Sequence, residues 1–166
     1  MSITHLPSTL AIGGGVIQHI PQWLQTHGFQ QILMITDPTM VALGYAIDLQ
    51  QRLADTQIHC DIFSDTIPEP TAASIQQGVQ AARAKNYDAL LALGGGSPID
   101  SAKAIALLCQ NQSTVRDIAF PVINNTPGLP VIAVPTTAGT GSEVTRFTII
   151  TDETTEEEAR KNPRAP

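Results

Sequence analysis

The chain has 166 residues, 42% of them apolar, which is enough for one domain with its own core. A net charge of −6, with nine Lys and Arg residues scattered singly, gives no basic face and excludes nucleic acid as the expected partner. The first residues lack a basic start followed by a long apolar core, and no apolar run has the length to cross a bilayer, so no membrane partner is expected.

Short β-rich pieces alternate with helical ones, the pattern of an α/β domain with a mostly parallel sheet flanked by helices. Residues 9–12 read as a short strand ending at Gly13, Gly14 and Gly15. Val16, Ile17, Ile20, Trp23 and Leu24 then recur at helical spacing up to Gly28, with Pro21 either splitting or starting that helix. Residues 31–36 predict a strand closed by Asp37-Pro38, and Met40, Leu43, Ile47 and Leu53 predict a helix that runs through Gly44.

Residues 58–63 alternate as a strand with one less apolar face, and the prolines at 68 and 70 forbid regular structure before Thr71, which is placed to cap a helix carrying Ile75, Val79 and Ala82 up to Asn86. Residues 89–93 form the most apolar strand, hence a central one, followed by a helix with Ala102, Ile105, Ala106 and Cys109. A long, turn-rich connection over 111–128 leads to a second buried strand at 129–134, and 145–151 predicts a last β-branched strand. The polar stretch 153–166 is expected not to pack, which leaves residues 1–152 as the domain. Cys60 and Cys109 sit in apolar segments without CxxC spacing, so free thiols in a reducing compartment, the cytoplasm, are expected.

Three polar motifs stand where strands end, and open α/β sheets bind ligands beyond the carboxyl ends of their strands. The first is Gly94-Gly95-Gly96-Ser97, a glycine turn running from a strand into a helix, where bare backbone N–H groups and the helix dipole suit a phosphate. The second is Asp37, whose carboxylate can hold the hydroxyls of an adenosine ribose and repel a 2′-phosphate, or can simply cap the next helix. The third is the loop holding Thr136, Thr137, Thr140 and Ser142, whose hydroxyls suit phosphate, ribose or amide contacts, or only an ordinary connection. Asp100 and Lys103 share a helix face, reaching back toward the glycine turn or pairing at the surface, and Glu143 is either an acid/base group or a structural partner.

The runs 94–103 (GGGSPIDSAK) and 135–145 (PTTAGTGSEVT), with Thr36-Asp37-Pro38 and the early glycines, resemble the nucleotide-binding half of the iron-containing alcohol dehydrogenases from about Leu10 to Asp152. The resemblance implies a Rossmann-like domain that binds NAD in preference to NADP. It places the diphosphate on Gly94, Gly95, Gly96 and Ser97, the adenosine ribose on Asp37, and the rest of the cofactor on Asp100, Thr136, Thr137, Thr140 and Ser142. Glu69 stands where that family often has an Asn near the cofactor.

Relatives of this kind continue into a helical domain whose Asp and three His hold iron or zinc, a metal that acidifies the alcohol. That domain is expected to be absent here, by truncation, frame disruption or fragmentation, because the stretch after Asp152 departs from the family pattern. His5, His19, His27 and His59 precede the cofactor motifs without an i, i+4 pair and are expected to be surface or packing residues, so the chain is expected to bind NAD without metal or turnover. A bared cleft wall would favour a homo-oligomer. Two other readings stay open: an assembly module that needs a helical partner or pairs with itself, and a folded relic without ligand.

Overall fold

A computed structural model describes residues 9–110, 113–118, 127–145 and 148–151. Its elements are α1 (Ile20–Thr26), β1 (Gln31–Thr36), α2 (Pro38–Ala42), α3 (Tyr45–Asp55), β2 (His59–Phe63), α4 (Ala72–Arg83), β3 (Ala89–Gly94), α5 (Gly96–Cys109) and β4 (Val131–Pro135). The four strands form one parallel sheet in the order β2-β1-β3-β4, with Ile32 opposite both Cys60 and Ala89, and Leu90 opposite Val131.

Strand periodicity divides the core in two. Leu33, Ile35, Leu90 and Ala92 face one way, onto Ile75, Val79 and Ala82 of α4 and Ile99, Ala102 and Ile105 of α5. Ile32, Met34, Leu91 and Leu93 face the other way, onto Leu24 of α1 and Ala46, Leu49 and Leu53 of α3. Every residue of β3 is buried, as a strand with helices on both faces requires. The fold is thus α/β and Rossmann-like, the class the sequence predicts.

Several elements differ from expectation. Residues 9–12 carry strand-forming side chains but no ladder, and Leu10 and Ile12 are exposed. The Val16 helix divides into a 3₁₀ turn at Val16–His19 and α1, with Pro21 in the first turn of α1, where its missing N–H costs nothing. Gly44 adopts φ 82 and breaks the predicted single helix into α2 and α3. Helix α4 stops at Arg83, before Asn86.

Strand β4 starts two residues later than predicted and is half-buried rather than buried, because it is an outer strand of the described sheet. Of 145–151, residues 146 and 147 lie outside the described set. The rest pairs only through a parallel bridge between Thr151 and Thr71, since β-branched composition supplies propensity but not a neighbouring strand. Within the 111–128 connection, Arg116–Ile118 is a 3₁₀ turn. His5 and the polar stretch 153–166 lie outside the described residues.

Both thiols are free, and burial pushes the Cys60 thiol up to about 12. On β2, Asp61 accepts from Lys85 Nζ at 2.6 Å, Tyr87 OH at 2.7 Å and His59 Nε2 at 3.2 Å, and chiefly the Lys85 hydrogen bond holds its carboxyl below the usual range.

Candidate functional site

The chain leaves β1 for a helix that leads to β2 on one side, and later places β3 on the other side of β1, so the strand order reverses between β1 and β3. At such a switch point the two connections diverge and a crevice opens beyond the carboxyl ends of the strands. Asp37 follows β1 and the glycine turn follows β3, so both stand at that crevice.

Helix α5 begins at the turn with Gly95 as N-cap, no side-chain cap and no acidic residue in its first turn. The N–H groups of Gly96 and Ser97 have no acceptor within the helix, Pro98 has no N–H, and Ile99 N–H is the first to find a helical carbonyl, that of Gly95 at 3.4 Å. Two bare donors at the positive end of a 14-residue helix are thereby left facing the crevice.

The threonine-glycine loop lies directly against this turn. Thr136 N–H donates to the Gly94 carbonyl at 2.9 Å, continuing the β3–β4 ladder into the loops. A Cβ placed on Gly95 would stand 3.1 Å from Thr137 Oγ1, and one on Gly96 would stand 3.3 Å from Ser142 Oγ and 3.5 Å from Thr140 Cβ. On Gly94, with φ 147, a Cβ would meet Pro98 Cγ at 2.7 Å and Asp37 Oδ2 at 3.1 Å. The glycines therefore have a second reason beyond access for an anion: they let the two turns and the Asp37 carboxylate close on one another. The other loop uses Gly139 at φ 95 and Gly141 at φ 68, backbone that side chains resist, and brings Thr140 Oγ1 to accept from Ser142 N–H at 3.4 Å.

Asp37 Oδ1 accepts from Met40 N–H at 3.0 Å, the N-cap of α2, so the capping role and the place beside Gly94 hold together. Below it, Thr36 Oγ1 donates to the Leu93 carbonyl at 2.7 Å, and Thr66 Oγ1 donates to the Thr36 carbonyl at 2.6 Å. The first of these buried hydroxyls stitches the ends of β1 and β3 together, and the second ties the loop after β2 to the end of β1. Thr66 escapes sequence reasoning because it sits in an irregular stretch with no motif of its own.

Asp100 sits one turn into α5 and is engaged within the fold. Its Oδ1 accepts from Lys103 Nζ at 3.0 Å, its Oδ2 from Ile149 N–H at 3.4 Å, and its carbonyl from Thr148 Oγ1 at 2.8 Å. Lys103 Nζ also donates to Thr145 Oγ1 at 3.2 Å. The structure thus brings Asp37, Gly94, Gly95, Gly96, Ser97, Thr137, Thr140 and Ser142 to one place, with Thr136 tied in through its backbone. Among the described residues, Glu143 Oε2 is buried without a hydrogen-bond partner. Among the described residues, no three His, Cys, Asp or Glu side chains gather as a metal site. His59 pairs with Asp61, and His27 packs on Trp23.

Comparison with known proteins identifies the family. The family model for iron-containing alcohol dehydrogenases matches residues 7–165, past the Asp152 boundary at which the sequence reading ended the resemblance. Alcohol dehydrogenase 4 of Schizosaccharomyces pombe is 35% identical over 154 residues, covering 93% of this chain and 36% of that protein. The structure of sulfoacetaldehyde reductase from Bifidobacterium kashiwanohense in complex with NAD+ superposes with a TM-score of 0.82 at 30% identity, over 93% of this chain and 41% of that one. The NADH-dependent butanol dehydrogenase A of Thermotoga maritima gives a TM-score of 0.85 at 25% identity, over 94% of this chain and 39% of that one. The chain belongs to the iron-containing alcohol dehydrogenase family, and it spans about two-fifths of the length of these relatives.

Proposed function

We propose that this member of the iron-containing alcohol dehydrogenase family binds NAD at the β1/β3 crevice and supplies the cofactor-holding part of an alcohol–carbonyl oxidoreductase. The observation that carries the reading is the closure of the two glycine-bearing turns on each other beside Asp37, with the N–H groups of Gly96 and Ser97 left bare. That arrangement fits a dinucleotide. The α5 N-terminus takes the diphosphate, Asp37 takes the adenosine ribose hydroxyls and disfavours a 2′-phosphate, and the hydroxyls of Thr137, Thr140 and Ser142 line the continuing path.

A bound nicotinamide would supply hydride chemistry to the carbon bearing the alcohol oxygen. The residues of this chain contribute binding and orientation. Among the described residues no three His, Cys, Asp or Glu side chains gather as a metal site, and His59 is paired with Asp61. In this reading the crevice holds the cofactor and does not by itself turn over alcohol. The alcohol pocket is left to residues outside this crevice.

Calorimetric titration of the chain with NADH and NADPH, followed by an assay of ethanol and propanediol oxidation with ferrous or zinc ion, tests the reading. NADH binds more tightly than NADPH, and Asp37→Ala narrows the gap about tenfold, the scale of one charge-dependent contact of ~1.4 kcal/mol. Equal affinities for the two cofactors, or no binding of either, would contradict the cofactor assignment. Metal-dependent turnover by this chain would contradict the division of labour.

A further inference from the structure

The loop after β2 leaves the same end of the sheet as Asp37 and the glycine turn. Thr66 fastens its first part to the carboxyl end of β1 through the Thr36 carbonyl. Beyond Thr66 the chain passes Pro68, Glu69 and Pro70 before Thr71 caps α4. Glu69 there adopts φ 54, a left-handed conformation that a Glu side chain disfavours. Such strain persists only where neighbouring contacts dictate the backbone.

Those contacts come from the far end of the described chain. Thr151 N–H donates to the Pro70 carbonyl at 2.8 Å and the Thr151 carbonyl accepts from Ala72 N–H at 3.3 Å, so Thr151 grips the backbone on the C-terminal side of Glu69. Two and three residues earlier, Ile149 and Thr148 are held by one residue, Asp100, through its carboxylate and its carbonyl. Asp100 is in turn 8% exposed and paired with Lys103 on the next turn of α5. A continuous set of hydrogen bonds therefore runs from α5 through residues 148–151 to the turn that carries Glu69.

We propose that Asp100 is a positioning residue: it anchors residues 148–151 as a strap that holds the Glu69 turn at the rim of the crevice, and it acts on cofactor affinity through that strap. The proposal rests on the cofactor reading only for the crevice being the binding site. The anchoring itself belongs to the fold and can be measured without any ligand. A carboxylate in contact with the cofactor would leave residues 70–72 unaffected when removed, whereas an anchor loosens them at a distance.

Amide hydrogen exchange on the free chain separates the two. In Asp100→Ala the amides of Ile149, Thr151 and Ala72 exchange about tenfold faster, while that of Met40, held by Asp37 at the same crevice, changes less than about twofold. Thr148→Val removes the hydroxyl bond to the Asp100 carbonyl and leaves the carboxylate in place. It moves the same amides in the same direction, and it carries the test should Asp100→Ala not fold. NADH titration then shows weaker binding in both variants. Unchanged exchange at Thr151 and Ala72 in the folded variants overturns the proposal, above all if Asp100→Ala still weakens NADH, because the carboxylate then acts by contact. Absence of NADH binding to the unsubstituted chain defeats the cofactor reading and leaves the exchange result to decide the anchoring.

Discussion

Single residues at the crevice are set by backbone conformation as much as by chemistry. Gly94 combines φ 147 with a Cβ direction blocked by Pro98, so Gly94→Ala would strain the turn from both sides. Glu69 shows the opposite case, a position that a different residue would suit better. Asn tolerates left-handed backbone, so Glu69→Asn raises stability by about 0.5–1 kcal/mol, measured as a shift of the urea midpoint at unchanged slope. A lowered midpoint would mean that the Glu side chain makes a stabilising contact that outweighs the strain. The motifs at 94–97 and 136–142 are legible in the sequence because glycine and hydroxyl residues cluster at strand ends. Asp100 shows the limit of such reading, since its motif position does not reveal that its oxygens are committed to Lys103, Ile149 and Thr148.

At the scale of elements, α4 and α5 approach each other through Gly78, where an added Cβ would overlap Ile105 Cδ1 and stand 2.9 Å from Ile105 Cγ1. Ala favours a helix over Gly by about 1 kcal/mol, but overpacking a core costs about 1–3 kcal/mol, and here the second effect wins. Gly78→Ala therefore destabilises the domain, and adding Ile105→Val, which removes the blocking methyl, recovers part of the loss. A double-mutant cycle with a coupling of about 1 kcal/mol is the expected result, and strict additivity would contradict the close approach. Strands β1 and β3 are legible because continuous apolar runs mark strands covered on both faces. The edge position of β4 and the bridged state of Thr151 are not, because they depend on which segment lies alongside, and β-branched residues carry no address for a partner. The break at Gly44 is hidden for a similar reason, since helical periodicity continues across it while the backbone turns left-handed.

For the whole molecule, the topology decides where function sits. The strand order reverses between β1 and β3, and the chain collects its bare donors, the Asp37 carboxylate and its hydroxyl loop at that one end. Two surface depressions among the described residues lie at the other end, one lined by Gln57, Ile58 and His59 before and at the start of β2, the other by Asn86, Tyr87 and Gln110. Neither carries the backbone donors and hydroxyls that gather at the switch point, so chemistry marks that crevice as the place for a ligand. A ligand held there stabilises the domain by linkage, by about 2.7 kcal/mol at a concentration 100 times its Kd. The most direct measurement of the central claim is amide NMR of the chain titrated with NADH. The account predicts that the largest perturbations fall on Gly95, Gly96, Ser97 and the Thr137–Ser142 loop; binding that instead perturbs residues around Gln57 and His59, or around Asn86 and Gln110, would contradict it.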